Sequence, residues 1–180
     1  MESRERVILV DECDIPVGDM EKMEAHEKGL LHRAISVFII NSKGEVLLQR
    51  RADHKYHSGG LWTNTCCTHP RVGESCFDAA NRRLEEEMGM KADLHEAFFF
   101  IYKAELDHGL TEHEFDHVFI GFSDETPVLN PDEVSDFKWM TVSDIQNSIQ
   151  SDPKAFTEWF KVIFSEFQSE LGKELSLSVI

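Results

Sequence analysis

The chain is short of positive charge, of cysteine and of long apolar runs. In its 180 residues, 18 Lys and Arg face 34 Asp and Glu, for a formal net charge of −16. Such a surface repels nucleic acid and anionic membranes, so neither is expected as a partner. It also repels phosphorylated metabolites, so a site for one must gather cations or metal ions locally. No stretch approaches the ~18 apolar residues of a membrane-spanning helix. The opening residues MESRERVILV lack the apolar segment of a secretory signal, and a cytoplasmic location is expected. The four cysteines, Cys13, Cys66, Cys67 and Cys76, show no zinc-knuckle spacing and are expected to be free thiols. A 41% share of hydrophobic residues, with 13 Phe and 3 Trp, excludes general disorder. The length fits one domain over 1–180, with a core over about 30–170, an N-terminal extension over 1–29 and a loose tail at 168–180. Nothing in the sequence sets the oligomeric state.

Residues 6–10 predict a short strand, and Asp11–Asp19, with Pro16 and Gly18, a turn. The polar segment Glu21–Leu31 leads to the β-branched run Ala34–Ile40, a buried strand. Asn41-Ser42-Lys43-Gly44 reads as a hairpin turn and Glu45–Arg50 as the returning strand. Residues 52–73 lack periodicity but hold Gly59, Gly60, Trp62, Cys67, His69, Pro70 and Gly73, and a long irregular stretch inside a domain is usually functional. Ser75 and Gly89 bracket a helix as N-cap and C-terminal glycine. Phe98–Leu106, Glu112–Phe122 and Asp136–Met140 read as strands and Val142–Ile149 as a helix. A last helix is expected from Pro153, with Phe156, Trp159, Phe160, Ile163, Phe164 and Phe167 on its apolar face. Strands and helices mix without regular alternation, which favours an α/β fold with a mixed sheet sandwiched between helices.

Three constellations carry chemistry. On the first helix after the irregular stretch, Arg82-Arg83-Leu84-Glu85-Glu86-Glu87 lets Leu84 face the core while Glu87 stands near Arg83; a solvated acidic face is the plainer reading. His26, His32, His69, Glu112 and Glu114 offer imidazole and carboxylate donors, a mix suited to Mn²⁺, Zn²⁺, Fe²⁺ or Mg²⁺. Glu112 and Glu114 point to one side of a strand, where two like charges repel and a cation would relieve them; an exposed strand face continued by Asp116 is the alternative. Cys67 lies two residues before His69, as a ligand pair, a nucleophile with its base, or two packed side chains. His113, Asp116 and His117 are expected to face away.

The span from Thr68 to Met90 resembles the Nudix box in Glu74, Arg82, Leu84, Glu86, Glu87, Gly89 and Met90. It departs at Thr68, where the box has glycine, and at Arg83, where it has its first helix glutamate. Nudix hydrolases use that glutamate helix to hold metals for pyrophosphate cleavage, so the change suggests a site that holds a diphosphate without cutting it. The run T-N-T-C-C-T-H-P, then G-E-S, with E-H-E later and Trp159 near the end, resembles the type I isopentenyl diphosphate isomerase family over about residues 6–167. The resemblance implies a Nudix-type fold and interconversion of isopentenyl and dimethylallyl diphosphate through a tertiary carbocation. It implies Cys67 and Glu114 as the two proton-transfer groups, Tyr102 as a relay and Trp159 facing the cation. It implies Mn²⁺ or Zn²⁺ on His26, His32, His69, Glu112 and Glu114. Mg²⁺ would join the substrate diphosphate to Glu87 and the Cys67 backbone carbonyl. Lys22, Arg51, Lys55 and Arg83 match diphosphate-gripping positions, with Arg50 as the alternative to Arg51. The rival readings are a Nudix hydrolase of a nucleoside or isoprenoid diphosphate and a non-enzymatic metal-binding module.

Overall fold

The apolar run that predicts a buried strand is the centre of the molecule. A computed structural model describes residues 5–55 and 57–177. In chain order the elements are β1 (Arg6–Val10), β2 (Pro16–Glu21), α1 (Lys22–Lys28), β3 (His32–Ile40), β4 (Val46–Arg51), β5 (Trp62–Thr63), β6 (Cys66–Thr68), α2 (Cys76–Met88), β7 (His95–Glu105), β8 (Thr111–Phe122), β9 (Val134–Met140), α3 (Val142–Ser151) and α4 (Glu158–Leu177). Strand β3 runs parallel to β8, with His32 opposite Glu114 and Ser36 opposite Val118. The same stretch of β3 pairs antiparallel with β6, Ser36 opposite Cys67. One strand has two edges, so β6 and β8 flank β3 on opposite sides.

Alternation along the strands then builds two cores. Phe38, Ile40, Val118 and Ile120 pack against Ile145 of α3 and Trp159, Phe160, Ile163 and Phe164 of α4. Ile35, Val37, Ile39 and Phe119 point the other way, under Ala80, Leu84 and Met88 of α2. The mixed sheet is thus sandwiched between helices, an α/β architecture. Helix α2 starts where Ser75 Oγ accepts from the Asp78 amide at 3.0 Å, and ends where Gly89 turns left-handed at φ 61°. Among the described residues no helix is long and apolar enough to cross a membrane.

Three expectations need correction. The turn predicted over Asp11–Asp19 closes early: Asp11 Oδ1 accepts from the amides of Cys13 (2.9 Å) and Ile15 (3.0 Å). Pro16 then opens β2, which pairs antiparallel with β1; a proline can take the first position of an edge strand. Pro153 begins a short 3-10 turn, Pro153–Ala155, and α4 starts only at Glu158 because Phe156 is extended and joins Trp62 in a bridge. Finally, α4 continues through Leu177, so 168–177 is helix where a loose tail was expected, with a Lys173–Glu170 pair one turn apart at 2.7 Å. Residues 178–180 lie outside the described residues, as does the Phe167 side chain.

A Cβ at Gly89 would meet the Val128 carbonyl oxygen at 2.7 Å in a left-handed conformation. Gly89→Ala is therefore expected to lower stability by about 1 kcal/mol or more, read as a lower denaturant midpoint at unchanged slope.

Candidate functional site

Four separate segments deliver one cluster. Helix α1 buries His26, the first residue of β3 is His32, β6 leads into His69, and β8 carries Glu112 and Glu114 on one face. One ligand atom from each of these five residues lies within 4.8 Å of all the others. The imidazoles are aimed by the backbone: His26 Nδ1 donates to the Lys22 carbonyl at 2.7 Å and His32 Nδ1 to the Leu30 carbonyl at 2.8 Å. Those bonds leave each Nε2 lone pair pointing into the cluster, the tautomer that metal-binding histidines need. His26 Nε2 is 3.3 Å from Glu112 Oε2, His32 Nε2 3.6 Å and His69 Nε2 2.8 Å from Glu114 Oε1.

The cluster has polar atoms with nothing to bond. His26 Nε2, His32 Nε2, His69 Nδ1 and Glu112 Oε2 are buried without a hydrogen-bond partner, and each such group costs about 1–3 kcal/mol. Burial pushes the His26 imidazole down and the His69 imidazole to about 4, so both are neutral. Burial, then the charge of Glu114, pushes the Glu112 carboxyl well above its ordinary range. Burial acts to raise Glu114 too, but the neighbouring imidazoles of His32 and His69, the latter donating at 2.8 Å, outweigh it and hold that carboxyl well below its ordinary range. Neutral imidazoles, two crowded carboxyls and orphaned lone pairs fit a divalent metal ion.

Beside the cluster lies a cavity of about 290 Å³ whose walls include Cys67, Tyr102, Trp159, Lys22, Arg51, Lys55, Arg83 and Glu87. Tyr102 Oη donates to Glu114 Oε2 at 2.7 Å, and burial, with the Glu114 charge, keeps the phenol protonated. Cys67 enters from the edge of β3 opposite to the β8 edge that carries Glu114. Burial pushes its thiol up to about 12, against the opposing charge of Arg51. Trp159 Nε1 donates to Asn64 Oδ1 at 3.3 Å, and the Arg51 guanidinium lies 5.4 Å from the indole centroid. The indole face is thus already next to a positive charge. Of the two adjacent arginines, Arg51 turns inward, whereas Arg50 bonds the Gly60 carbonyl at 2.9 Å and is half exposed.

The cations are held by acids. Lys22 pairs with Glu5 at 3.0 Å, Lys55 with Glu133, and Arg83 with Glu86 (3.0 Å), Glu87 and Glu133 (3.0 Å). Gln49 Nε2 donates to the second oxygen of Glu87 at 2.6 Å. Arg51 Nε and Arg83 Nε remain buried donors without a partner, which an anion in the cavity would satisfy.

Residues 30–160 match the NUDIX domain family. The chain is 52% identical over 159 residues to an isopentenyl-diphosphate Delta-isomerase of Pectobacterium atrosepticum, covering 88% of this chain and 89% of that one. It is 53% identical over 155 residues to isopentenyl-diphosphate Delta-isomerase 2 of Aromatoleum aromaticum, covering 86% and 82%. The chain belongs to the isopentenyl-diphosphate Delta-isomerase family. Its fold is shared with the crystal structure of DR0079 from Deinococcus radiodurans, at TM-score 0.74 and 22% identity over 91% of this chain and 99% of that one. A MutT protein from Methanosarcina mazei has the same fold at TM-score 0.65 and 22% identity, over 78% and 94%.

For a member of the isopentenyl-diphosphate Delta-isomerase family, several site neighbours escape sequence reasoning. Asp116, expected to face away, is buried on the same strand face as Glu112 and Glu114 and accepts from Ser36 Oγ at 2.7 Å. The period of two along β8 requires this, and it was the available signal. His113 and His117 do point to the other face, His113 to the Gly29 carbonyl and His117 to Asp14 and Glu96. Glu5, Glu133 and His57 also line the cavity; they come from a strand margin and two loops, where no periodicity announces a direction. Burial, then Arg51, pushes the His57 imidazole down to about 2.

Adding a divalent cation to metal-free protein is expected to raise its melting temperature. A ligand at a hundred times its Kd contributes about 2.7 kcal/mol. His32→Ala is expected to remove most of that shift, and calorimetry with and without the ion checks both.

Proposed function

We propose that this chain interconverts isopentenyl diphosphate and dimethylallyl diphosphate, an isomerase reaction that moves a carbon–carbon double bond. The observation that carries the reading is the pairing of two proton-transfer groups across one buried cavity. Cys67 and the hydrogen-bonded Tyr102–Glu114 pair enter from strands on opposite edges of β3. The reaction adds a proton to the terminal alkene carbon, leaves positive charge on the branched carbon, and removes a different proton from the carbon nearer the diphosphate. Two groups on two sides are therefore required. Glu114 with Tyr102 exchanges the proton at the terminal carbon, and Cys67 exchanges the other. Because the reaction is reversible, each is an acid in one direction and a base in the other.

Trp159 presents its indole to the cationic carbon, an attraction worth about 2 kcal/mol or more in a dry site. Burial of the cavity walls excludes water, which would otherwise capture the cation as an alcohol. Lys22, Arg51, Lys55 and Arg83 grip the diphosphate, Arg by bidentate contacts and Lys as point charges. His26, His32, His69, Glu112 and Glu114 would hold Mn²⁺ or Zn²⁺, and Glu87 with the Cys67 backbone carbonyl would hold Mg²⁺ arriving with the diphosphate. Bound there, the ions supply the positive charge that lets the crowded carboxylates and the anionic substrate share one cavity. The net charge of −16 leaves nucleic acid and anionic membranes out of this reading, which is of a cytoplasmic enzyme acting on a small diphosphate.

Hydrolysis is the weaker reading. Arg83 occupies the place of a metal-binding acid and pairs with Glu86, Glu87 and Glu133, so the helix grips phosphate with a cation where a hydrolase would spend a carboxylate on metal.

Cys67→Ala and Glu114→Gln are each expected to lower turnover roughly 10²–10⁴-fold while the fold is kept, measured by NMR of the allylic product. Release of inorganic phosphate by the wild-type protein in place of the allylic isomer would sink the assignment. Exhaustive chelation is expected to stop the reaction and Mg²⁺ or Mn²⁺ to restore it, in the same assay.

A further inference from the structure

His57 has no part in the roles assigned above, yet it is only 5% exposed and lines the same cavity. It sits on the loop between β4 and β5, whose path has little latitude. The Arg51 amide donates to the Leu61 carbonyl at 2.9 Å and the Gly60 amide to the Arg51 carbonyl at 3.0 Å. Ser58 is left-handed at φ 51°, and a Cβ at Gly59 would fall 2.5 Å from the Asp53 carbonyl oxygen. Arg51 also donates through Nη2 to the His57 carbonyl at 3.4 Å. The ring is as closely confined as the backbone, because it meets Trp159 edge-on with centroids 5.9 Å apart.

The two oxygens of Glu112 look in different directions. Oε2 is 3.3 Å from His26 Nε2, inside the five-residue cluster. Oε1 is 3.5 Å from His57 Nε2, outside it. On the far side of the imidazole, Nδ1 lies 3.2 Å from Ser58 Oγ. With Glu112 ionised, as an ion ligand would be, the Ser58 hydroxyl donating to Nδ1 leaves Nε2–H to face the carboxylate.

We propose that His57 is a positioning residue for the metal centre, holding Oε1 of Glu112 so that Oε2 is presented to the ion shared with His26, His32, His69 and Glu114. The inference rests on the cluster being a divalent-metal site. Carboxylate ligands depend on outer polar partners, and losing one typically weakens metal binding about 10–100-fold. His57 is itself left out of the cluster, so its loss should weaken the site without changing the number of ligands.

The test is metal affinity, measured on metal-free protein by Zn²⁺ competition against a chromophoric chelator, with circular dichroism as the check on folding. His57→Ala and His57→Phe are expected to weaken binding about 10–100-fold. His57→Gln keeps an N–H donor within reach and is expected to recover most of the loss. In a Glu112→Ala background, His57→Ala is expected to add nothing, since the interaction it removes is already gone. Wild-type affinity in His57→Ala, with His32→Ala still damaging, would overturn the role of His57 and leave the metal site standing. Affinity indifferent to His32→Ala as well would overturn both. Recovery by Phe equal to that by Gln would reduce His57 to packing and overturn the donor role.

Discussion

Two carboxyls cannot both stay ionised on a dry strand face unless positive charge lies between them. Glu112 and Glu114 are in that position, two residues apart on β8 and almost wholly buried. Their surroundings leave the debt open, because His26 and His32 turn their ring protons to backbone carbonyls and present bare nitrogens to the acids. Of the other donors, Tyr102 and His69 serve Glu114, and His57 Nε2 faces Glu112 at 3.5 Å. The cluster is therefore better suited to taking up a cation than to taking another hydrogen bond, which fits a divalent metal ion. Helix α1 is a single short helix, yet it brings both His26 and the cavity cation Lys22, and the His26 ring is aimed by its bond to the Lys22 carbonyl.

The same reasoning explains how so acidic a protein can receive a diphosphate. The cavity gathers Lys22, Arg51, Lys55 and Arg83, but it also gathers Glu5, Glu87, Glu112, Glu114 and Glu133. Taken alone, that set is no trap for an anion. Cations at the carboxylate-rich end would make it one, which under the proposed function ties substrate binding to metal binding. The acids next to the basic side chains have a separate use: Glu5 and Glu133 keep long, flexible side chains extended toward the cavity before any anion arrives. Less side-chain entropy is then lost on binding.

Much of this was legible in the chain. Ser75 and Gly89 mark the ends of α2 because capping is local chemistry, and the β-branched run before Asn41 could only be a buried strand. The five cluster residues could be listed because imidazole and carboxylate at those positions match a family pattern, although their convergence depends on β3 lying parallel to β8, a pairing that no local signal encodes. Strand β2 was missed because Pro16 and Gly18 look like turn residues, and only its pairing with β1 makes them strand. His57 was missed because direction in an irregular loop is set by distant hydrogen bonds, here those of Arg51, Gly60 and Leu61. Asp116 was within reach: counting by two from Glu114 puts it inside.

The fold is common to proteins of other chemistry, so the difference must lie in side chains, and Arg83 is the clearest of them. A carboxylate there would add to the negative charge that Glu86 and Glu87 offer to metal. A guanidinium instead bonds both, along with Glu133, and stays positive at any accessible pH: burial works to lower its pKa, but those acids outweigh burial and raise it. Any ion on Glu87 must then share that carboxylate with a permanent cation, which lowers the metal charge the helix can gather around a phosphate bridge. Such a helix would be better suited to holding a diphosphate than to cleaving one, in line with the proposed function. The same cavity is lined by the acid Glu114, the phenol of Tyr102, the thiol of Cys67 and the indole of Trp159, the groups that the proposed proton transfers would use. Under the proposed function, Arg83 is one of several side chains, with Cys67, Tyr102, Glu114 and Trp159, that set this cavity apart from a pyrophosphate-cleaving one.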